Sequence, residues 1–142
     1  MKKRLTLIQM DVHVNDVEYN YNRVQELLSQ SLSENPDIII LPETWNTGFY
    51  PSRELINISD KNGERTKSLL STFAKEHNVN IVGGSVAVAK NDVVFNTSYT
   101  YNRNGELVGE YSKMHGFSPA KEDQYFAGGT HTTHFELDGI PC

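Results

Sequence analysis

One short segment constrains the fold of this chain more than any other: the apolar run Asp37-Ile38-Ile39-Ile40-Leu41, which Pro42-Glu43 closes. β-Branched residues favour strands, and hydrophobicity without alternation is typical of a strand that is buried on both faces. Such strands occur in layered α/β proteins. The segment therefore predicts an α/β fold in which a carboxylate directly follows a buried strand.

Helical patterns lie on both sides of that strand. Before it, Asn15-Asp16 offers an N-cap, apolar residues recur at helical spacing over 17–32, and Asn35-Pro36 ends the helix. After it, the spacing predicts a second helix over about 64–77, with Asn78 as a left-handed cap.

Further strands are predicted around these helices, over 5–10, 79–88, 94–101 and 107–111, with a last hairpin from 135. The strand–helix–strand order sets the helices on one face of a sheet. A layered sheet normally buries both faces. We therefore expect the other face to be covered by something besides the helices of this chain.

Bulk properties exclude several classes of partner. The 142 residues allow one domain, the formal net charge is -5 and the pI is about 5.5. Nucleic-acid binders usually carry a basic patch, whereas here Lys2-Lys3-Arg4 is the only basic run, which argues against nucleic acid and an anionic membrane as partners. No apolar run approaches the roughly 20 residues of a membrane helix. The opening segment is too short and polar for a signal peptide, so we expect a cytoplasmic protein.

Two places carry residues that are suited to chemistry. Ligands bind at the carboxyl ends of strands in open α/β sheets, and Glu43 stands there as a partly desolvated candidate general base. Lys113 closes the strand before His115 and could stabilise a developing oxyanion. Each residue alone also has a plainer interpretation. Glu43 could be a capping or solvated loop residue, Lys113 could be a surface lysine, and His115 could be a structural histidine.

Taken together, these motifs resemble the nitrilase superfamily of carbon–nitrogen hydrolases. Leu41-Pro42-Glu43, followed by an aromatic residue and a glycine, resembles the glutamate motif of the family, and Tyr111-Ser112-Lys113-Met114-His115 resembles its lysine motif. Gln9, Asn20, Gly83-Gly84-Ser85 and Asn96-Thr97 also fit. The resemblance covers the chain from end to end and is nearest to the branch that holds the omega-amidases, including enzymes that act on 2-oxoglutaramate.

This resemblance implies the N-terminal half of an α-β-β-α sandwich, so that residues 1–142 form a partial hydrolase domain. It also implies a Glu-Lys-Cys triad without cofactor or metal: Glu43 as general base, Lys113 as oxyanion stabiliser or proton donor, and a cysteine that forms a thioester. Glu122 matches a second glutamate that supports the lysine, although a solvated loop carboxylate is an equal reading.

The implied substrate is a small-molecule amide, preferably an ω-amide that releases ammonia, with nitriles and carbamoyl compounds as alternatives. Residues 45–49 and 116–125 are expected to line its pocket. The full-length enzyme is expected to be a homo-oligomer.

The lone cysteine, Cys142, is not expected to be the nucleophile. It follows the Asp138-Gly139 turn and would begin a strand, whereas the nucleophile of the family ends one. The two ends of a five-residue strand lie roughly 15 Å apart. We therefore expect the nucleophile beyond residue 142, and an uncovered apolar sheet face that makes the isolated chain poorly folded and inactive.

Other hypotheses remain open at this point. Glu43 and Glu122 could be a carboxylate pair for glycoside hydrolysis. A metal site through His131 and His134 lacks a third ligand and helical spacing. The chain could also be a short non-catalytic binding or assembly protein.

Overall fold

The computed structural model describes residues 2–142, which form a mixed α/β fold and confirm the predicted fold class. The helices are α1 (Val17–Ser31), α2 (Leu55–Ile58), α3 (Glu64–His77) and α4 (Glu122–Tyr125). The strands are β1 (Leu5–Leu7), β2 (Ile38–Ile40), β3 (Asp60–Lys61), β4 (Asn80–Val82), β5 (Val86–Lys90), β6 (Val93–Tyr101), β7 (Leu107–Ser112), β8 (Glu136–Leu137) and β9 (Ile140–Pro141).

Helix α1 begins and ends where the sequence signals predict. The Asp16 carboxylate accepts a hydrogen bond from the Tyr19 N–H at 3.1 Å, which satisfies one free donor of the first turn. Asn15 lies just outside the helix with a positive φ, so the N-cap is Asp16. A 3₁₀ turn over Leu32–Glu34 finishes the helix before Asn35, which is left-handed.

Helix α3 has the predicted bounds and the predicted cap. Leu70, Phe73 and Ala74 are buried on its inner face, and Leu69 packs beside them while partly exposed. Asn78 is left-handed, with φ 52°, and its N–H donates to the Ala74 carbonyl. The cap therefore satisfies one of the carbonyls that the end of a helix leaves free.

The sheet is parallel on one side and antiparallel on the other. β1, β2 and β4 pair in parallel, as the two helical crossovers require. β6 runs antiparallel to β4, β5 and β7, and β3 adds to the edge of β5. The single strand predicted over 79–88 is wrong in one respect: Gly83–Ser85 interrupts it, and β4 and β5 lie end to end along one edge of β6.

The core lies between the sheet and the two long helices. Ile39 and Ile81 are fully buried from the sheet, and Tyr21 and Leu28 from α1 pack in the same cluster. Burial of an aliphatic side chain of this size stabilises the fold by about 1.5–3 kcal/mol. The opposite face is less covered, because Leu5 and Leu7 of β1 are 54% and 68% exposed.

A short hairpin of β8 and β9 closes the described chain. Its turn residue Asp138 pairs with Arg103 and with Lys3, which precedes β1. The hydrogen bond from Arg103, reinforced by Lys3, holds the pKa of the Asp138 carboxyl well below its usual range. The hairpin turn is thereby fixed near the amino ends of the parallel strands. No helix within residues 2–142 has the length and apolar character needed to cross a membrane.

Candidate active site

Glu43 lies in a segment that is bonded along its length to the interruption between β4 and β5. The Pro42 carbonyl accepts from the Ser85 N–H at 3.1 Å, and the Trp45 N–H donates to the Ser85 carbonyl at 3.2 Å. The Ser85 hydroxyl accepts from the Thr44 N–H at 3.0 Å. Because bonds lie on both sides of Glu43, its backbone is held at the carboxyl end of β2.

Gly84 allows this close approach of two chain segments. Its φ is +58°, and a Cβ at this position would lie 1.9 Å from the Pro42 carbonyl oxygen. A side chain cannot fit there without moving backbone, because real Cβ contacts are almost never under 3.0 Å. The Gly83-Gly84-Ser85 motif therefore positions the backbone that carries Glu43.

Two buried polar side chains anchor the loop that follows Glu43. The Asn46 amide donates to the Ala87 carbonyl at 3.0 Å and accepts from the Ala87 N–H at 2.8 Å. The Trp45 indole N–H donates to the Gly83 carbonyl at 3.0 Å, and its ring is fully buried. The expectation that Trp45 lines the pocket is therefore wrong, because the ring packs in the core against Tyr21.

Lys113 reaches the same edge of the sheet from a different strand. β7 is antiparallel to β6 and therefore parallel to β2 and β4, so Lys113 follows a carboxyl end just as Glu43 does. The Lys113 Nζ lies 2.7 Å from Oε1 of Glu43 and 2.8 Å from Oε2 of Glu122. The structure thus brings the three predicted site residues together, although 70 and 9 positions separate Lys113 from the two glutamates in sequence.

The electrostatics of this cluster keep the lysine charged. Partial burial alone would lower the pKa of Lys113, but the hydrogen bonds and charges of Glu122 and Glu43 outweigh it and raise that pKa above its usual value. An ammonium held in this way is a fixed positive charge at the carboxyl edge. It can stabilise an oxyanion without a reorientation of the lysine side chain during the reaction.

Glu122 is the buried member of the cluster. It begins α4, is 1% exposed, and accepts a hydrogen bond from the Phe117 N–H at 2.6 Å. A buried carboxylate is costly unless it is paired, and the lysine provides the pair. This burial excludes the interpretation of Glu122 as a solvated loop carboxylate.

Asn96 is a member of the cluster to which the sequence assigned no role. Its amide Nδ2 donates to Oε1 of Glu43 at 2.9 Å and points to Oε1 of Glu122 at 3.5 Å. The sequence signal for Asn96 is the alternation of side chains along β6. Asn96, Ser98 and Thr100 share one face of the strand, whereas Tyr99 packs into the core on the other face.

Two depressions adjoin the lysine. The larger is open, has a volume of about 450 Å³ and is lined by Glu43, Asn96 and Lys113 together with Tyr111 and Ser98. The smaller, of about 190 Å³, lies on the Glu122 side and is also lined by Asn96 and Lys113. The side chain of Glu43 remains 44% exposed, so a small molecule in the larger depression can reach it.

Cys142 lies apart from this cluster. It is exposed and pairs through its backbone with Phe135, whose ring packs against Gly109 of β7. Gly109 precedes Lys113 by four residues, which in a strand is about 13 Å. His131 and His134 are exposed, and no group of three or more potential metal ligands occurs among residues 2–142.

Comparison with known proteins identifies the family of the chain. The family model described as "Carbon-nitrogen hydrolase" matches residues 4–139. The 2-oxoglutaramate amidase of Bacillus subtilis (strain 168) is 36% identical over 99% of this chain and 53% of its own length. The Omega-amidase NIT3 of Saccharomyces cerevisiae is 27% identical over 82% of this chain and 42% of its own length.

The fold has solved counterparts as well. The crystal structure of XC1258 from Xanthomonas campestris, a CN-hydrolase superfamily protein, superposes with a TM-score of 0.85 at 28% identity, covering 98% of this chain and 51% of that one. The chain thus spans about half the length of the relatives it matches. The predicted family is confirmed: the chain belongs to the carbon–nitrogen hydrolases of the nitrilase superfamily and resembles their omega-amidase branch.

Proposed function

We propose that this chain supplies the general base and the oxyanion stabiliser of a thiol-dependent amidase that releases ammonia from a small ω-amide. The observation that carries the proposal is the position of Lys113 between Glu43 and Glu122, beside an open depression at the carboxyl edge of the sheet. The printed names of the relatives, 2-oxoglutaramate amidase and omega-amidase, support the substrate class.

The chemistry follows from the three side chains. Glu43 accepts the proton of a cysteine thiol, and the thiolate attacks the amide carbon. The carbonyl oxygen becomes an oxyanion, which Lys113 stabilises. Collapse of the intermediate breaks the carbon–nitrogen bond, and the nitrogen leaves as ammonia with the proton that Glu43 held. Water then attacks the thioester, with Glu43 again as base, and releases the acid and the thiol.

Glu122 has a supporting role in this scheme. Two carboxylates against one ammonium leave the resting cluster with a net negative charge, and the buried Glu122 fixes the lysine from the side away from the larger depression. The lysine is then directed toward the substrate. The same burial disfavours glycoside hydrolysis, because Glu122 is not free to approach a sugar.

The nucleophile is proposed to come from residues other than these 142. Cys142 is exposed on the hairpin, and its backbone partner Phe135 packs at Gly109, which lies roughly 13 Å along β7 from Lys113. A full protein with a second, nucleophile-bearing half would also cover the exposed face of the sheet. Its assembly into a homo-oligomer is part of the same proposal.

An ammonia-release assay with succinamate tests the function. We expect turnover by the longest natural polypeptide that contains this chain, and none by the 142 residues alone. Glu43→Gln and Lys113→Met should each lower kcat by roughly 10²-fold or more. The matched controls Glu76→Gln and Lys75→Met, both exposed on α3, should leave it unchanged.

Three results would contradict the proposal. Turnover by the 142-residue chain that disappears in Cys142→Ser would make Cys142 the nucleophile. Retention of full activity in Glu43→Gln would remove the base. A panel that includes a nitrile and a carbamoyl compound separates the amide from the alternatives within the family, and inactivity toward all of them would favour a binding or assembly protein.

A further inference from the structure

Asn96 is placed to control the geometry of the base. It lies in the middle of β6, is 3% exposed, and its backbone carbonyl accepts from the Lys113 N–H at 2.9 Å. Its side-chain Nδ2 donates to Oε1 of Glu43 at 2.9 Å and lies 3.5 Å from Oε1 of Glu122. One amide thus lies within hydrogen-bond distance of both carboxylates.

The orientation of this amide follows from its neighbours. Ionised carboxylates only accept hydrogen bonds, so the NH₂ group of Asn96 must face them. The reverse orientation would set the amide oxygen against two carboxylate oxygens. The Oδ1 atom of Asn96 therefore points elsewhere, where it is buried and has no partner among residues 2–142.

That unpaired oxygen makes a purely structural role a poor account of Asn96. A buried polar atom without a hydrogen bond destabilises the fold. The hydrogen bonds of the Asn96 side chain in the described structure go to the glutamates, and none ties it to the surrounding backbone. The side chain therefore serves the carboxylates at a cost to stability, which is common at functional sites.

The two oxygens of Glu43 are consequently unequal. Both Asn96 and Lys113 bind Oε1, while Oε2 has no hydrogen-bond partner within residues 2–142. We propose that Asn96 is a positioning residue that, with Lys113, fixes Oε1 and leaves Oε2 as the atom that takes the thiol proton. In that step the S–H bond breaks, the O–H bond forms at Oε2, and the electron pair stays on sulfur. This inference rests on the proposed amidase function.

Asn96→Leu tests the inference in the longest natural polypeptide that contains this chain, with succinamate as the probe. Loss of positioning should lower kcat by roughly 10- to 100-fold while KM stays within about threefold. The Tm should change little, because removal of the unpaired buried oxygen offsets the loss of the hydrogen bonds to the glutamates. Thr100→Val is the matched control: it lies on the same strand and face, is also buried, and touches neither glutamate. It should leave kcat unchanged.

A double-mutant cycle separates positioning from general damage. If Asn96 acts through Glu43, Asn96→Leu should cost less than about threefold in a Glu43→Gln background, because coupled residues are not additive. An equal loss in both backgrounds overturns the proposal, as does unchanged kcat in Asn96→Leu. Should the leucine variant fail to fold, Asn96→Ala, which removes the amide without adding a charge beside the two glutamates, decides by the same cycle.

The two levels of proposal fail differently. Wild-type protein that turns over no amide overturns the proposed function and, with it, the role of Asn96. Wild-type turnover with full activity in both Asn96 variants overturns only this inference and leaves the amidase in place.

Discussion

Gly84→Ala perturbs the contact that holds Glu43 in place, and its cost can be worked from the structure. The φ of +58° is left-handed, which costs a residue with a side chain about 1–2 kcal/mol. The new Cβ would also lie 1.9 Å from the Pro42 carbonyl oxygen and 2.6 Å from that of Leu41. Forcing atoms into a packed site costs about 1–3 kcal/mol more. We expect a loss of about 3 kcal/mol or more in the free energy of unfolding.

Gly139→Ala provides the matched control. Gly139 is also left-handed, with φ +79°, but a Cβ there would meet nothing within 4 Å. Its substitution should cost only the conformational part, about 1–2 kcal/mol. The difference between the two variants therefore isolates the contact between Gly84 and Pro42.

Urea unfolding of the longest natural polypeptide that contains this chain, followed by tryptophan fluorescence, measures both variants. We expect a lower midpoint for Gly84→Ala than for Gly139→Ala at similar slopes. In the amidase assay, the shift of Pro42 should displace Glu43 and lower kcat by roughly 10-fold or more, since misplacement of this size is costly. Equal losses of stability in the two variants would refute the reasoning, as would full activity in Gly84→Ala.

Three further substitutions test other parts of the structure. Glu122→Gln removes one charge from the buried pair with Lys113 and should lower stability by about 2 kcal/mol in urea unfolding, with an unchanged midpoint as the contrary result. Asn46→Ala leaves the N–H and C=O of Ala87 unpaired and should cost about 3 kcal/mol; a loss below about 1 kcal/mol would contradict this account. Asp138→Asn should cost about 1 kcal/mol at pH 7. The pKa of Asp138 is depressed in the folded state, so its contribution to stability is present above its ordinary value near 3.8. That contribution is lost progressively as the pH falls from 3.8 through the lowered folded-state pKa, so the unfolding curves of wild type and variant should converge only at the acid end of a pH series.

Local signals in the sequence account for the elements that were predicted well. Helix α3 and its Asn78 cap follow from apolar spacing and from the tolerance of Asn for left-handed backbone, which act within a few residues. The strand at 38–40 follows from its apolar run. The break between β4 and β5 was missed, because Gly83-Gly84-Ser85 lies inside a continuous apolar pattern and its need arises from a distant segment.

Part of the candidate site could also be predicted from the sequence, and part could not. The motifs around Glu43 and Lys113 identified two side chains at strand ends, and the family resemblance added Glu122. The burial of Glu122 and the contact of Asn96 with both glutamates could not be predicted from spacing. Those properties depend on the register of β6 against β5 and β7 and on the path of residues 117–122.

The sequence by itself determined the α/β class, the two long helices and the identity of the family, because helix periodicity, apolar runs and motifs are local patterns of residues. Tertiary structure alone decided that one ammonium lies between two carboxylates, that Trp45 belongs to the core, and that Asn96 and Lys113 both bind Oε1 of Glu43. The physical reason is that charges and hydrogen bonds act over about 3 Å in space, and at the candidate site the groups that meet at that distance are as many as 70 residues apart along the chain.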